Sequence, residues 1–479
     1  MGSTDNDKEP EGRPFIHDAL SSLDDQAEEQ SVKRNGNLRT AIAHIITGVI
    51  GAGVLSLPWS VAQLGWIAGP VLLGMVFPMV TLILTFLLCD LYRYPNPEFG
   101  HLRVKSYPQA VKLHLGEKWE QICTVNVVIS FWLIGVAYHI TTASSIRAIE
   151  KLICYRREGD EASKSCTAQE NSFYETIIFG GVQIMLSQIP DMHNMGWLSI
   201  FATIMSFSYS TIAIALGLFQ VLENGSIKGS ISGIPAANLN EKLLVAFEAI
   251  GDIAFAYPFS LILLDIQDTL KSPPPENQTM KKASTIAILV TTFFYLCCAC
   301  FGYAAFGDTT PGNLLIGSAF FHHFWLLAFA NAFVVLHLLG GYQIFSQPVF
   351  SIVERWTRRK DPNNNNNGFV NKKFSIKIPI LPAFQLNPFR LCFRTTYVLS
   401  TTYCAVVFPY FNQVLGLIGA LNFWPFAIYF PLEMFFKQRK IRAWTRTWIA
   451  FRVLSFVCFV VTLMGCVGSL ERIISAKFS

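Results

Sequence analysis

The chain has 479 residues, 52% of them hydrophobic and only 14% charged, with a formal net charge of +5. A soluble domain carries about 25% charged residues, so this chain cannot cover itself with water-facing groups and most of it must face lipid. The small net charge gives no basis for a nucleic-acid partner, and none is expected.

Residues 1–36 are polar, rich in Asp and Glu, and read as a disordered cytoplasmic tail. They lack the basic-then-apolar pattern of a cleaved leader. Apolar segments long enough to cross a bilayer then follow at 38–66, 69–91, 121–149, 172–190, 196–222, 241–270, 282–306, 320–353, 391–409, 412–436 and 446–470. The chain is therefore read as an all-α integral membrane protein with about 11 transmembrane helices. Residues 37–222 hold the first five spans, 223–240 an outer loop, 241–436 the next five, and 437–479 the last span and the C-terminus. The run Asn363–Asn367 reads as a solvated loop.

Basic residues set the orientation. With the N-terminus inside, twenty-one Lys and Arg fall in cytoplasmic loops and seven outside, so the C-terminus is expected outside. Most of the eleven Cys lie in apolar runs. Cys154 and Cys166 share one polar loop, which this orientation places outside, and they are the disulfide candidate. The sequon at Asn224 falls outside but beside a helix end, and that at Asn277 falls inside.

The first and sixth segments carry the functional signal. Residues 49–58 (VIGAGVLSLP) align without gaps with residues 249–258 (AIGDIAFAYP), matching Ile50 with Ile250, Gly51 with Gly251 and Pro58 with Pro258. Gly costs a helix about 1 kcal/mol relative to Ala and Pro about 3, so both segments are expected to unwind in mid-membrane. Such backbone is tolerated where it lines a cavity, and paired interruptions point to a transporter's binding site. Half-helix N-termini suit an anion and unwound carbonyls a cation, and a zwitterionic amino acid offers both.

Ionisable residues inside spans are candidates for function. Asp252 is expected within the sixth-segment break, able to hold a proton or a substrate ammonium. His44, one turn before the glycines, and His337 in the eighth segment are the other proton-coupling candidates. Glu248, one turn from Asp252, either shares its proton or lies in a half-helix facing water. Asp265 and Asp268 read as solvated. Tyr138, Phe247, Phe255 and Tyr257 are candidates to wall a side-chain pocket. There is no P-loop, no metal-spaced Cys/His cluster and no catalytic set, so no cofactor, no metal and no enzymatic activity are expected.

At these residues the chain resembles the plant amino acid permeases of the amino acid/auxin permease family. The matching stretches are 43–57 (AHIITGVIGAGVLSL), 62–69 (AQLGWIAG), 186–190 (LSQIP), 251–257 (GDIAFAY), 266–270 (IQDTL), 302–307 (GYAAFG) and 423–426 (FWPF). The resemblance implies a LeuT-type fold, with 5+5 inverted repeats, broken helices 1 and 6, and one further helix. It implies proton-coupled import of amino acids at the plasma membrane, with H+ as the driving ion and Na+ as the alternative. By the same resemblance Gly51, Ala52, Gly53 and Val54 meet the substrate carboxylate, and Phe247 and Asp252 its amino group and side chain. Pro58, His139, His322, His323 and Ala328 depart from the family's pattern. They motivate an alternative of another class, a sensor that keeps the fold and binds without transporting.

Overall fold

The computed structural model describes residues 34–158, 172–188, 196–257, 259–360, 374–376 and 384–478. The expected tail, apart from its last three residues, lies outside the described residues, as do Cys166, Pro258 and Asn363–Asn367. Among the described residues eight helices are long and apolar enough to cross a membrane, and large apolar side chains such as Ile67, Met75, Phe456 and Val467 point outward. Polar residues such as Gln183, Glu248, Asp252 and Asn331 are buried. This distribution suits a lipid solvent.

The first segment is two half-helices, α1 (Leu38–Val49) and α2 (Leu57–Val71). Asn37 caps α1, accepting from the amides of Arg39 and Thr40 while the Thr40 hydroxyl accepts from the Asn37 amide. Within α2 the chain bends at Gly65, whose φ of +83° favours glycine, and the carbonyl of Ile231 packs where a β-carbon would stand. The second segment continues from there through a π-turn into α3 (Phe77–Asp90).

The polar stretch after α3 has structure that the composition did not signal. It holds a short hairpin, Arg93–Tyr94 against Leu102–Arg103, and a helix α4 (Tyr107–Leu115). His114 of α4 is buried, its ring edge-on to Tyr94 and its Nε2 without a partner, and burial pushes its pKa down from 6.5 to about 4. The unfolded chain binds this proton more readily, so stability is lost as pH falls from 6.5 towards 4. The expected loss reaches ~3 kcal/mol at ~1.4 kcal/mol per pH unit. Thermal unfolding in detergent should show His114→Phe losing less stability than the parent over that window; equal losses would refute it.

Next come α5 (Glu117–Glu158), α6 (Phe173–Ser187) and α7 (Gly196–Asn224). Cys154, in the last turns of α5, is disulfide-bonded. Asn224 gives its amide to the carbonyl of Ala305 at 2.9 Å, a bond that a glycan would break. The sixth segment is again two pieces, α8 (Leu239–Ala256) and α9 (Ser260–Asp268). Then follow α10 (Glu276–Phe306), α11 (Phe324–Lys360) and α12 (Pro388–Val407). The chain continues as α13 (Phe411–Asn422), a π-turn, α14 (Phe430–Gln438) and α15 (Arg446–Phe478). A second hairpin, Phe374–Ile376 with Phe384–Leu386, precedes α12. α8 packs between α2, α13 and α15, and α1 packs on α7 and α10.

Candidate functional site

α1 ends at Val49 because Gly48, Gly51 and Gly53 weaken the helix, and the chain restarts at Leu57 because Pro58 fits a first turn but not an interior. Between them lies one 3-10 turn, Ala52–Leu55. The amides of Ala52 and Gly53 stand at its N-terminus, beyond reach of an intrahelical carbonyl.

Side chains from distant elements satisfy the carbonyls released at the break. Tyr295 of α10 places its hydroxyl 2.6 Å from the carbonyl of Val49 and 3.0 Å from that of Ala256, tying the ends of α1 and α8 together. Ser206 of α7 donates to Ile50 O at 2.8 Å, and the Tyr209 hydroxyl lies 3.2 and 3.1 Å from the carbonyls of Ile50 and Gly51. His337 of α11 joins them, its Nδ1 2.9 Å from Ser206 Oγ and 3.0 Å from Ala202 O. A carbonyl only accepts, so Nδ1 carries a hydrogen. Nε2 is left without a partner, 3.7 Å from where a β-carbon on Gly51 would stand. Position in the sequence favoured His44 over His337. The structure brings His337 to the break and leaves His44 half-buried and off the cavity.

The helix of the sixth segment ends at Ala256 and the next begins at Ser260, so the interruption comes later than expected. Asp252 is helical, in the body of α8 rather than in unwound backbone. Gly251 does not unwind α8 because it is used for close packing: a β-carbon there would stand 2.6 Å from Gly416 O of α13. Gly51 and Gly251 match in sequence but serve different ends. Asp252 is fully buried, and its Oδ2 accepts from Ser60 of α2 and Asn412 of α13, each at 3.3 Å. Among the described residues it forms no ion pair, and Oδ1 has no hydrogen-bond partner.

A cavity of about 60 Å³ lies between the breaks, walled by Gly51, Gly53, Tyr138, Phe255, Phe259, Ser260 and others. Ser260 to Ile262, at the N-terminus of α9, also line it; the Ile262 amide is bonded to Phe259 O at 3.1 Å, and those of Ser260 and Leu261 lie in the first turn, where helix amides lack an intrahelical carbonyl. Gly51, Gly53, Tyr138 and Phe255 thus come together, with Ala52 in the adjoining turn. Val54 is buried with its carbonyl 3.7 Å from the Cys298 thiol. Phe247 lies elsewhere: it is ten residues, ~15 Å of helix, before the break, and its β-carbon packs on Gly468 of α15. Tyr257 is a brace, donating to Leu73 O at 2.6 Å.

His139, though next to Tyr138, is structural. Its ring nitrogens lie 2.9 Å from Gly135 O and 2.9 Å from Thr402 Oγ1, wedged against Phe179 and Tyr342. His323 sits far off, 3.7 Å from Glu223. Asp268 is not solvated as expected. Arg34 pairs with it at 2.9 Å, the Tyr92 hydroxyl donates to it at 2.7 Å, and Gly36 bridges to Leu270. The chain before α1 is thereby tied to the end of α9. Ser60, Ser206, Tyr209, Tyr295 and Asn412 were not singled out from the sequence; only their hydroxyl or amide chemistry inside spans would have signalled them.

The sequence profile described as "Transmembrane amino acid transporter protein" matches residues 34–475. The chain is 56% identical over 455 residues to the Arabidopsis thaliana "Probable amino acid permease 7", covering 95% of this chain and 96% of the relative. It is 44% identical to the Arabidopsis "Amino acid permease 3", covering 94% and 93%. Its fold is shared with MhsT, crystallised in complex with L-phenylalanine, at a TM-score of 0.57 and 10% identity over 90% of this chain and 98% of that one. It is shared too with Mhp1, a nucleobase-cation-symport-1 family transporter in a closed conformation, at a TM-score of 0.52 and 13% identity over 92% of each. The expected LeuT-type architecture, with its first and sixth segments interrupted, stands, and the chain belongs to the transmembrane amino acid transporter family as a permease and not an enzyme.

Proposed function

We propose that this permease is a proton-coupled amino acid importer working by alternating access at the plasma membrane, with its N-terminus cytoplasmic and its C-terminus outside. The observation that carries the coupling is Asp252, a fully buried carboxyl whose Oδ2 takes hydrogen bonds from α2 and α13 while Oδ1 takes none. A carboxyl shared by a half-helix and its neighbours couples its protonation to how those elements pack. The amides at Ala52–Gly53 and the start of α9 would receive the substrate carboxylate. Tyr138 and Phe255 would line the side-chain space, with His337 Nε2 placed to accept from the ammonium. The cavity must widen before an amino acid enters, which is what alternating access supplies.

The test is uptake of a labelled neutral amino acid under voltage clamp, with external pH stepped from neutral to acid, with and without sodium. Inward current and uptake that rise in acid and ignore sodium are expected. Asp252→Asn, nearly isosteric, should lower acid-driven uptake at least roughly tenfold, ~1.4 kcal/mol, at normal surface amount. Sodium-dependent uptake would replace the coupling ion. Binding without uptake, with the protein at the surface, would favour the sensor.

A further inference from the structure

Asp252 leaves the other buried carboxyl of α8 unexplained. Glu248 lies four residues earlier, on the same helix face. It is fully buried, and neither of its oxygens takes a hydrogen bond. Its partner is Arg472 of α15, whose Nε is 3.4 Å from Oε2 and whose side chain is 35% exposed. One end of this pair therefore reaches the surface of the protein and the other is sealed inside it.

The space between Glu248 and Asp252 is polar. A β-carbon placed on Gly416 of α13 would meet Ser469 Oγ at 2.7 Å, the Glu248 carbonyl at 3.0 Å and Asp252 Oδ1 at 3.3 Å. Ser469 is itself fully buried, and its hydroxyl has no partner. Ser469 and Arg472 share a face of α15 at a spacing of three. Ser469 Oγ, the main-chain carbonyl of Glu248 and Asp252 Oδ1 thus surround one spot beside Gly416, and the Glu248 side chain reaches from this stretch of α8 to Arg472. The other groups facing that spot do not titrate: Ser60 on α2 and Asn412 on α13. The remaining charge on this stretch of α15, Glu471, is exposed.

We infer that Glu248 is the port through which protons reach Asp252, with Arg472 as its counter-ion at the surface. This rests on the proton-coupled reading above. A proton from water adds to the Glu248 carboxylate. Ser469 bonds to neither carboxyl in this conformation; when α8, α13 and α15 repack and bring the three groups into reach, its hydroxyl takes that proton as it gives its own to Asp252, and Glu248 returns to a carboxylate beside Arg472. One O–H bond forms for each that breaks, and no other reactant is needed.

The experiment measures acid stimulation of amino acid uptake by the full chain in E248Q, E248D and R472Q, normalised to surface protein. E248Q should lose at least about tenfold of the acid-driven uptake, and E248D should recover part of it. A cation beside a carboxylate favours its ionised form, so R472Q should move the acid-stimulation midpoint to higher pH by about one unit. A packing defect would lower the rate without that displacement. An unchanged profile in E248Q, or an R472Q midpoint that stays or moves to lower pH, overturns the inference. Should E248Q fail to reach the membrane, the half-exposed R472Q decides alone. If the parent's own uptake ignores pH, the proton-coupled reading falls first; if the parent responds and the variants follow it, only the port falls.

Discussion

Gly419→Ala should leave little transport, because a β-carbon at 419 would stand 2.1 Å from the carbonyl of Gly251 and 2.5 Å from the amide of Phe255. Both neighbours are backbone of α8 and neither can rotate away. α8 and α13 would have to separate by about 1 Å to restore ordinary contact, in an interior packed as densely as a crystal. Overpacking of this kind costs ~1–3 kcal/mol and sometimes more. The separation would also pull Asn412 and Gly416, both on α13, away from Asp252. We expect uptake per surface molecule to fall by more than about tenfold, with a lowered unfolding temperature in detergent. Gly181→Ala is the control: it is exposed on α6 with nothing within 4 Å of the new methyl, and helix propensity alone should make it neutral or stabilising by up to ~1 kcal/mol. Wild-type uptake and stability in Gly419→Ala would mean that α8 and α13 do not pack as described.

Tyr295→Phe is expected to have the next largest effect. It removes one oxygen and keeps the ring, so the packing against Tyr257 survives. The lost hydroxyl is the atom that ties Val49 O to Ala256 O across both breaks. Val49 O keeps the Gly51 amide at 3.0 Å, so the loss falls on the Ala256 carbonyl, and a buried carbonyl deprived of its partner costs ~1–3 kcal/mol. The loss falls where α1 and α8 give up their helices, so it should appear in transport more than in folding. Uptake should drop by about ten- to a hundredfold at near-normal surface expression, an effect of ~1.4–2.7 kcal/mol. Tyr257→Phe, which loses a bond to Leu73 O away from the break, should cost stability but less transport. Equal transport losses in the two variants would argue against a special role for the Tyr295 tie.

The apolar runs and the interruptions of the first and sixth segments are local properties. Run length measures membrane thickness, and Gly and Pro act on the helix they sit in, so these features were legible residue by residue. Pro58 shows the limit of that reading. It was expected as part of a break, and it lies in the first turn of the second half-helix, which begins at Leu57. Gly251 shows it again, since the same low helix propensity serves close packing when another backbone lies against it.

By itself the sequence determined that this is a helical membrane protein, that two of its spans are interrupted, and that the glycines at 51 and 53 stand at the first interruption. Tertiary structure alone decided which groups meet there. Ser206 caps a carbonyl 156 residues away and Tyr295 one 246 residues away, His337 rather than His44 faces Gly51, Phe247 turns to α15, and Arg472 finds Glu248. The physical reason is that a helix period assigns a side chain to a face, whereas the partner of that face is set by how distant helices pack together.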